Sequence, residues 1–271
     1  CFTPVNPVNS PIMFRSMMMD GNKIMPSDTA IALQDVSVCY TTPAERIPTL
    51  KEYIIRLLKG KQTHKNRFWA LKGINLLIPR GQVFGIIGNN GAGKSTLLQV
   101  VGRILSPTSG RLVVYGKVAP LLSLGGGFHP ELSGRENIYL YGSLLGYSQR
   151  EMESKFDEIV DFSELQEFID APLRTYSSGM MARLGFAVAT DSDADILLID
   201  EILAVGDKDF QVKSTERMQS FYARGATILL VTHNMDAVKS LCSKAAWLDH
   251  GTIRAYGSAE DVVNAYTASG Q

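Results

Sequence analysis

The sequence predicts an α/β fold with a mainly parallel sheet, a β-rich part toward the N-terminal side and an inserted helical subdomain. Three observations predict it. Residues 83–87 (VFGII), 194–201 (ADILLIDE) and 226–231 (ATILLV) are short, continuous apolar runs, as expected of strands buried on both faces of a parallel sheet. A glycine-rich stretch, residues 88–96 (GNNGAGKST), sits between the first of these runs and an apolar helix candidate at 97–101. A long segment, about 134–170, carries helical periods with alternating charges near 150–167 and no strong β-run. Helical periodicity without alternation marks a helical insertion in the α/β core, read here as residues 133–189.

In chain order, the first 28 residues, with Pro4, Pro7, Pro11 and Met17–Met19 and a start at Cys1, read as a disordered tail or added sequence. Residues 31–40 (IALQDVSVCY) alternate as a strand, with Leu33, Val36 and Val38 inward. An insert follows at 41–67. Within it Leu50, Tyr53, Ile54, Leu57 and Leu58 fall on one helical face. Lys51, Arg56, Lys59, Lys61, Lys65 and Arg67 surround that face, with Glu52 the one acid over 50–67. A basic amphipathic helix can lie on a membrane surface, dock on a partner or pack on its own domain with solvated lysines, and periodicity does not choose among these.

Residues 68–78 (FWALKGINLLI) read as a second strand, and Pro79-Arg80-Gly81 as a turn into the run at 83–87. A helix from Lys94 is expected to reach about Leu105, where SPTSG (106–110) stops it before a short strand at 111–115. Gly125-Gly126-Gly127 opens a flexible stretch ahead of the helical subdomain. Beyond the runs at 194–201 and 226–231, residues 246–248 and 252–255 form a hairpin around Asp249-His250-Gly251, and 261–266 a closing helix.

The bulk numbers narrow the function. With 271 residues the chain can form one large or two small domains, and 45% apolar with 20% charged residues is ordinary for a globular protein. The 27 basic and 27 acidic residues balance, which argues against a general nucleic-acid binder. Three scattered cysteines, Cys1, Cys39 and Cys242, suggest a reducing compartment with no disulfide framework. No apolar run approaches the ~20 residues that span a bilayer, so the chain is expected to be soluble by itself and to need a partner for any membrane role.

The chemistry concentrates at four places. In GNNGAGKST, Gly88, Gly91 and Gly93 free the backbone to approach a phosphate. The amides of Asn89, Asn90 and Ala92 and the start of the helix through Thr96 can then hold the anion. Lys94 can reach the outer phosphates and the Ser95 hydroxyl can ligate Mg²⁺. Asp200 ends an apolar strand beside that metal, and Glu201 can contact the water that attacks the γ-phosphate, as base or positioner. His233 follows the run at 226–231, on the same rim, where it could bond the γ-phosphate and steady the water. Tyr176-Ser177-Ser178-Gly179-Met180, followed by Arg183, starts a helix. This segment is either a second anion site or a plain helix cap.

This order of parts resembles the ATP-binding cassette (ABC) ATPases over about residues 31–266. GNNGAGKST looks like the Walker A loop of their P-loop NTPase core. YSSGM looks like the signature motif, with Ser177 and Gly179 in its serine and second-glycine places. ILLIDE looks like Walker B with the catalytic Glu201, while residues 204–207 fall at the D-loop and His233 at the switch histidine. Tyr40 is the first candidate to stack on adenine, ahead of Phe68 or Trp69. The match is closer to the ATPase subunits that export polysaccharides of O-antigen, capsule or teichoic acid type. LGGGFHPELSGRENI (124–138) is similar to their Q-loop region, LAVGDKDFQ (203–211) to their D-loop neighbourhood, and the basic insert to their membrane-facing gate helix.

There are departures. The usual Q-loop glutamine has no counterpart at 124–128, so no metal ligand is assigned there, and Ser178 and Met180 replace a glycine and a glutamine. Some relatives add a carbohydrate-binding domain, and none is expected within these 271 residues, whether it is naturally absent or was removed.

The resemblance implies an ATPase whose domain spans residues 29–271 and which uses ATP and Mg²⁺, the latter held by Ser95 and Asp200. It implies a homodimer that sandwiches two ATPs, each between one copy's Lys94 and the other copy's Ser177 and Gly179. It also implies a peripheral position on the cytoplasmic face of the inner (plasma) membrane and polytopic permease subunits that handle a lipid-linked polysaccharide. Rival readings are a soluble ABC ATPase of translation or DNA repair, which usually carries two cassettes or a coiled-coil insertion, an importer ATPase, which more often keeps the Q-loop glutamine, and a nucleotide-gated scaffold without hydrolysis.

Overall fold

The computed structural model describes residues 28–43, 65–121, 127–200 and 206–270. In chain order, β1 (Thr29–Pro43) and β2 (Lys65–Pro79) precede β3 (Val83–Ile87), α1 (Lys94–Val101), β4 (Ser109–Val114) and β5 (Val118–Leu121). Next come α2 (Gly134–Leu144), α3 (Gln149–Ser163), a 3₁₀ turn (Leu173–Thr175) and α4 (Ser178–Thr190). The chain then runs β6 (Ile196–Asp200), α5 (Lys208–Ala223), β7 (Thr227–Val231), α6 (Met235–Leu241), β8 (Lys244–Asp249), β9 (Thr252–Ser258) and α7 (Ala259–Ala268).

Among the described residues the strands form two sheets. A three-stranded antiparallel sheet has the order β2-β1-β4, and a six-stranded sheet has the order β5-β6-β7-β3-β8-β9. The latter is parallel except for β9, which pairs antiparallel with β8. Side-chain alternation splits each apolar run between two cores. Phe84, Ile86, Ile196, Leu198, Leu229 and Val231 join Leu33, Val38, Leu71 and Leu97 between the two sheets. Ile87, Leu197, Ile199, Ile228 and Leu230 pack on the opposite face with Phe186, Phe210, Phe221 and Val262. Both faces are covered, so the central strands read as unbroken apolar sequence.

Helical packing builds a third core around Ile138, Met152, Phe156, Ile159 and Leu184. Its helices begin where the sequence supplies caps. Ser133 with Glu136 and Ser148 with Glu151 each form a capping box at the starts of α2 and α3.

The sequence expectations differ from this fold in a few places. The helix from Lys94 ends at Val101 instead of near Leu105. Arg103 adopts φ 58°, and Ile104 N–H donates to the Gln99 carbonyl (2.9 Å) while Arg103 N–H donates to Val100 (3.0 Å). This is a Schellman ending with arginine in the usual glycine place, and the Arg103 guanidinium ties the turn to the Val114 carbonyl at 3.2 Å. Strand β5 was not expected. It has four residues including Pro120 and lies at the sheet edge, where proline is tolerated and the apolar signal is weak. The strands expected at 31–40 and 68–78 run on into the ends of the 41–67 insert, with Thr41 opposite Arg67, Thr42 opposite Asn66 and Pro43 opposite Lys65. The amphipathic face from Leu50 to Leu58, Leu124 to Gly126, Glu201 and the stretch Leu203 to Val205 lie outside the described residues.

The register explains where a site can form. Ile86 pairs with Val231 and Val231 with Asp200. The carboxyl ends of β3, β6 and β7 therefore stop level with one another, and the segments that follow them share one rim, the usual ligand position in such sheets.

Candidate active site

The loop after β3 is shaped by its glycines. Gly88 has φ 145°, and a Cβ there would lie 2.1 Å from the Leu248 carbonyl oxygen. Gly93 has φ 106°, and its Cβ would lie 2.5 Å from the Ala70 oxygen. Gly91, at φ 78°, would meet nothing within 4 Å. Two glycines therefore press the loop onto the body of the protein, and the third curves it on the open side. Gly88→Ala is expected to cost about 3 kcal/mol or more, from clash plus backbone strain. Gly91→Ala should cost only the left-handed penalty of about 1–2 kcal/mol. Urea unfolding midpoints of the two variants check the contrast.

Helix α1 begins directly behind the loop. Gly93 is its cap, no side chain caps the first turn and no acid lies in it. The first-turn amides have no partner within the helix and carry the positive end of its dipole, which suits an anion. Lys94 is 8% exposed. Its Nζ donates to the Gly88 carbonyl at 2.7 Å and to Asn89 at 3.0 Å. The Ser95 hydroxyl donates to Asp200 Oδ2 at 3.1 Å, so loop and strand end meet as the spacing led one to expect.

These groups form a cleft of about 500 Å³. It is lined by Asn90, Gly91 and Gly93 to Thr96 of the loop and helix start, by Asp200 and His233 at or just past the strand ends, and by Tyr40, Phe68 and Ala70 of the hairpin. His233 is set by the turn after β7. Asn234 N–H donates to Thr232 Oγ1 at 3.1 Å, and the Asn234 side chain caps α6 by accepting from Ala237 at 3.0 Å. Tyr40 and Phe68 are opposed across the β1–β2 ladder, so they share a face. Tyr40 Oη lies 3.5 Å from Thr96 Oγ1. Trp69 pairs with Cys39, so it projects from the other face and does not line the cleft. Among the described residues no group of three or more His, Cys, Asp or Glu could hold a metal ion. The cleft does offer Ser95 and Asp200, hard oxygen donors of the type Mg²⁺ takes alongside substrate phosphates and water.

Several candidates lie elsewhere. Gly88 and Ala92 are buried toward the body, where the Ala92 carbonyl accepts from Gly251 N–H at 3.0 Å. The Asn89 side chain turns away from the cleft and accepts a 2.8 Å hydrogen bond from the Tyr266 hydroxyl of α7. No sequence signal pointed to that pair.

Ser177 and Gly179 do not line this cleft. Ser177 caps α4, accepting from Met180 N–H at 3.1 Å, and is exposed. The added Cβ of Gly179 would meet only Ser177 Oγ, at 3.8 Å. That helix is braced by Arg183, which pairs with Glu164 and with Asp207 (3.5 Å) and lies over the Phe210 ring. The Lys213 ammonium, bonded to Glu164 at 2.5 Å, together with the nearby Arg183 charge holds the Glu164 carboxyl below its ordinary value. Cys242 is a packing residue: burial pushes its thiol up to about 12, and it lies where a Gly85 Cβ would approach within 3.2 Å of its sulfur.

Known proteins are similar to this chain. The family model for the ABC transporter matches residues 71–204. A protein of Myxococcus xanthus named an O-antigen export system ATP-binding protein is 50% identical over 241 residues, 88% of this chain and 55% of its own length. A Klebsiella pneumoniae protein of the same description is 46% identical over 211 residues, 78% of this chain and 84% of its own. A teichoic acids export ATP-binding protein of Enterococcus faecalis is 42% identical over 229 residues, 84% of this chain and 50% of its own. The chain thus spans about half the length of the first and third of these relatives. Among solved structures, a dimeric post-hydrolysis ATP-binding cassette bound to ADP and Pi superposes with a TM-score of 0.65 at 21% identity, over 84% of this chain and 98% of that one, which shows the shared fold. Identity of 46% across 84% of the Klebsiella protein reaches far beyond the short motifs, and the chain belongs to the ABC transporter family.

Proposed function

We propose that the chain is an ATP-hydrolysing, nucleotide-binding subunit that dimerises and powers a membrane permease exporting a polysaccharide of O-antigen, capsule or teichoic acid type. The observation that carries the ATPase reading is the single cleft in which the glycine loop, Lys94, Ser95, Asp200 and His233 converge. The export reading is supported by relatives named for O-antigen and teichoic acid export. Among the described residues no helix is long and apolar enough to cross a membrane, and the reading places the chain on the cytoplasmic face of the membrane, held by a polytopic partner.

The residues divide the work. Amides on the open side of the loop, at Asn90, Gly91 and Gly93, and the first turn of α1 hold the phosphates, and Lys94 moves from the loop carbonyls to the outer phosphate oxygens. Tyr40 and Phe68, on one face of the hairpin, flank the adenine. Ser95 and Asp200 would hold Mg²⁺, which when bound would neutralise charge on the phosphate oxygens. Glu201, one residue beyond Asp200, aligns or deprotonates the attacking water, and His233 steadies it. Ser177 and Gly179 lie outside their own chain's cleft, so they serve a second copy: two chains face each other and each closes the other's site. The basic segment around Leu50 to Leu58 is the membrane-facing element of this reading.

The test has two arms. Purified protein should hydrolyse ATP at a specific rate that rises with protein concentration, as a dimeric site requires; an absence of hydrolysis would reject the ATPase reading. Deletion of the gene in its own cell should leave the polysaccharide synthesised but not at the surface. Normal surface polymer in a cell with no second copy of the gene would reject the export reading while leaving the ATPase standing.

A further inference from the structure

Asn89 occupies a special place in the glycine loop. Its carbonyl accepts from the Lys94 ammonium at 3.0 Å and from Ala92 N–H at 3.1 Å. One peptide group therefore gathers both the loop's turn and its cation. The Asn89 side chain points to the rear, where the Tyr266 hydroxyl donates to Oδ1 at 2.8 Å across 177 residues of sequence. Tyr266 is itself well fixed. It is 9% exposed on α7, and its ring meets Trp247 of β8 edge-on with centroids 5.5 Å apart. Leu248, the next residue along β8, is the one whose carbonyl confronts Gly88. Strand and closing helix thus back the loop together, one by contact and the other by a hydrogen bond.

We propose that Tyr266 is a positioning residue for the nucleotide site, holding Asn89 so that the loop amides and Lys94 are arranged before the phosphate arrives. The physical reason is preorganisation. A loop built around three glycines with positive φ is costly to order, and a fixed side-chain tether removes part of that cost from the binding step. The bond does not reach the reacting atoms, so its loss falls on binding and leaves the chemical step alone.

This inference rests on the ATPase reading above. Its test is Tyr266→Phe, which keeps the ring and its packing on Trp247 and removes only the hydroxyl. The variant should raise the KM for ATP, and the dissociation constant of a fluorescent ATP analogue, by about 3- to 10-fold, the range for one neutral hydrogen bond. The kcat should stay within about twofold. Asn89→Ala removes the same bond from the exposed loop side and should reproduce the shift, while its unfolding midpoint reports the cost of leaving the Tyr266 hydroxyl without this acceptor. The double variant should add no more than about 1.5-fold to either, since both delete one interaction. An unchanged KM and dissociation constant in both single variants, with a lowered unfolding midpoint in Tyr266→Phe, would show that Asn89 merely satisfies a buried hydroxyl and would overturn the proposal. Wild-type protein that binds no analogue at all would instead overturn the ATPase reading, so the two failures are distinct.

Discussion

Lys94→Ala is expected to lower kcat/KM for ATP by about 10²- to 10³-fold, the scale on which removal of one preorganised charge-stabilising donor acts. The ammonium is 8% exposed and held by two carbonyls of its own loop, at 2.7 and 3.0 Å. Those carbonyls orient it within the loop that lines the cleft. A phosphate group brings full negative charge, and charge on the transferring oxygens must be stabilised through the transition state. The fold should tolerate the change. Alanine is a good residue at the start of a helix, and the Asn89 carbonyl keeps its bond from Ala92 N–H. The Gly88 carbonyl loses its Lys94 donor, so the unfolding free energy should fall by about 1–3 kcal/mol at most. Lys94→Arg should fail nearly as badly, because a planar fork does not replace a compact ammonium in so enclosed a place. Steady-state hydrolysis and equilibrium binding of an ATP analogue measure both expectations. Activity within about threefold of wild type would remove Lys94 from the proposed phosphate site.

Glu201→Gln is expected to separate binding from turnover. Asp200 closes β6 and accepts from Ser95 at the cleft, and Glu201 follows it in the sequence. The amide is nearly isosteric with the carboxylate but cannot take a proton from water, and general-base assistance is worth about 10²–10⁴ in rate. The kcat should fall by that factor while analogue affinity stays within about threefold or improves, since one negative charge near the γ-phosphate is gone. In the proposed dimer each copy closes the other's site over ATP, so with hydrolysis blocked ATP should convert the variant to a stable dimer on a sizing column with light scattering. Hydrolysis at the wild-type rate would sink the role given to Glu201.

Much of the site could be read from the chain because its parts are local. GNNGAGKST carries its own strand, turn and helix start, and an apolar run ending in Asp200 announces a buried strand with a carboxylate at its tip. Parallel strands of similar length then bring such tips to one rim, so Asp200 and His233 could be paired with the loop before any coordinates. Other features had no local signal. Arg103 takes a left-handed conformation that its residue type does not favour, and so the end of α1 was misplaced. The edge strand β5 is too short and too proline-marked to register as a strand. The choice among Tyr40, Phe68 and Trp69 depends on ladder register, and one position of register reverses the face a side chain occupies.

The sequence by itself determined the α/β class, the strands around residues 31–40, 68–78, 83–87, 196–200 and 227–231, and the residue types suited to a phosphate. Each of these depends on periodicity or on chemistry within a few neighbouring residues. Tertiary structure alone decided that Tyr40 and Phe68 share the cleft while Trp69 does not. It also decided that Ser177 lies away from its own chain's loop, and that Tyr266 holds Asn89 from behind. These outcomes depend on how separate elements are placed in space, and that placement comes from burying three apolar cores at once, which no short stretch of sequence encodes.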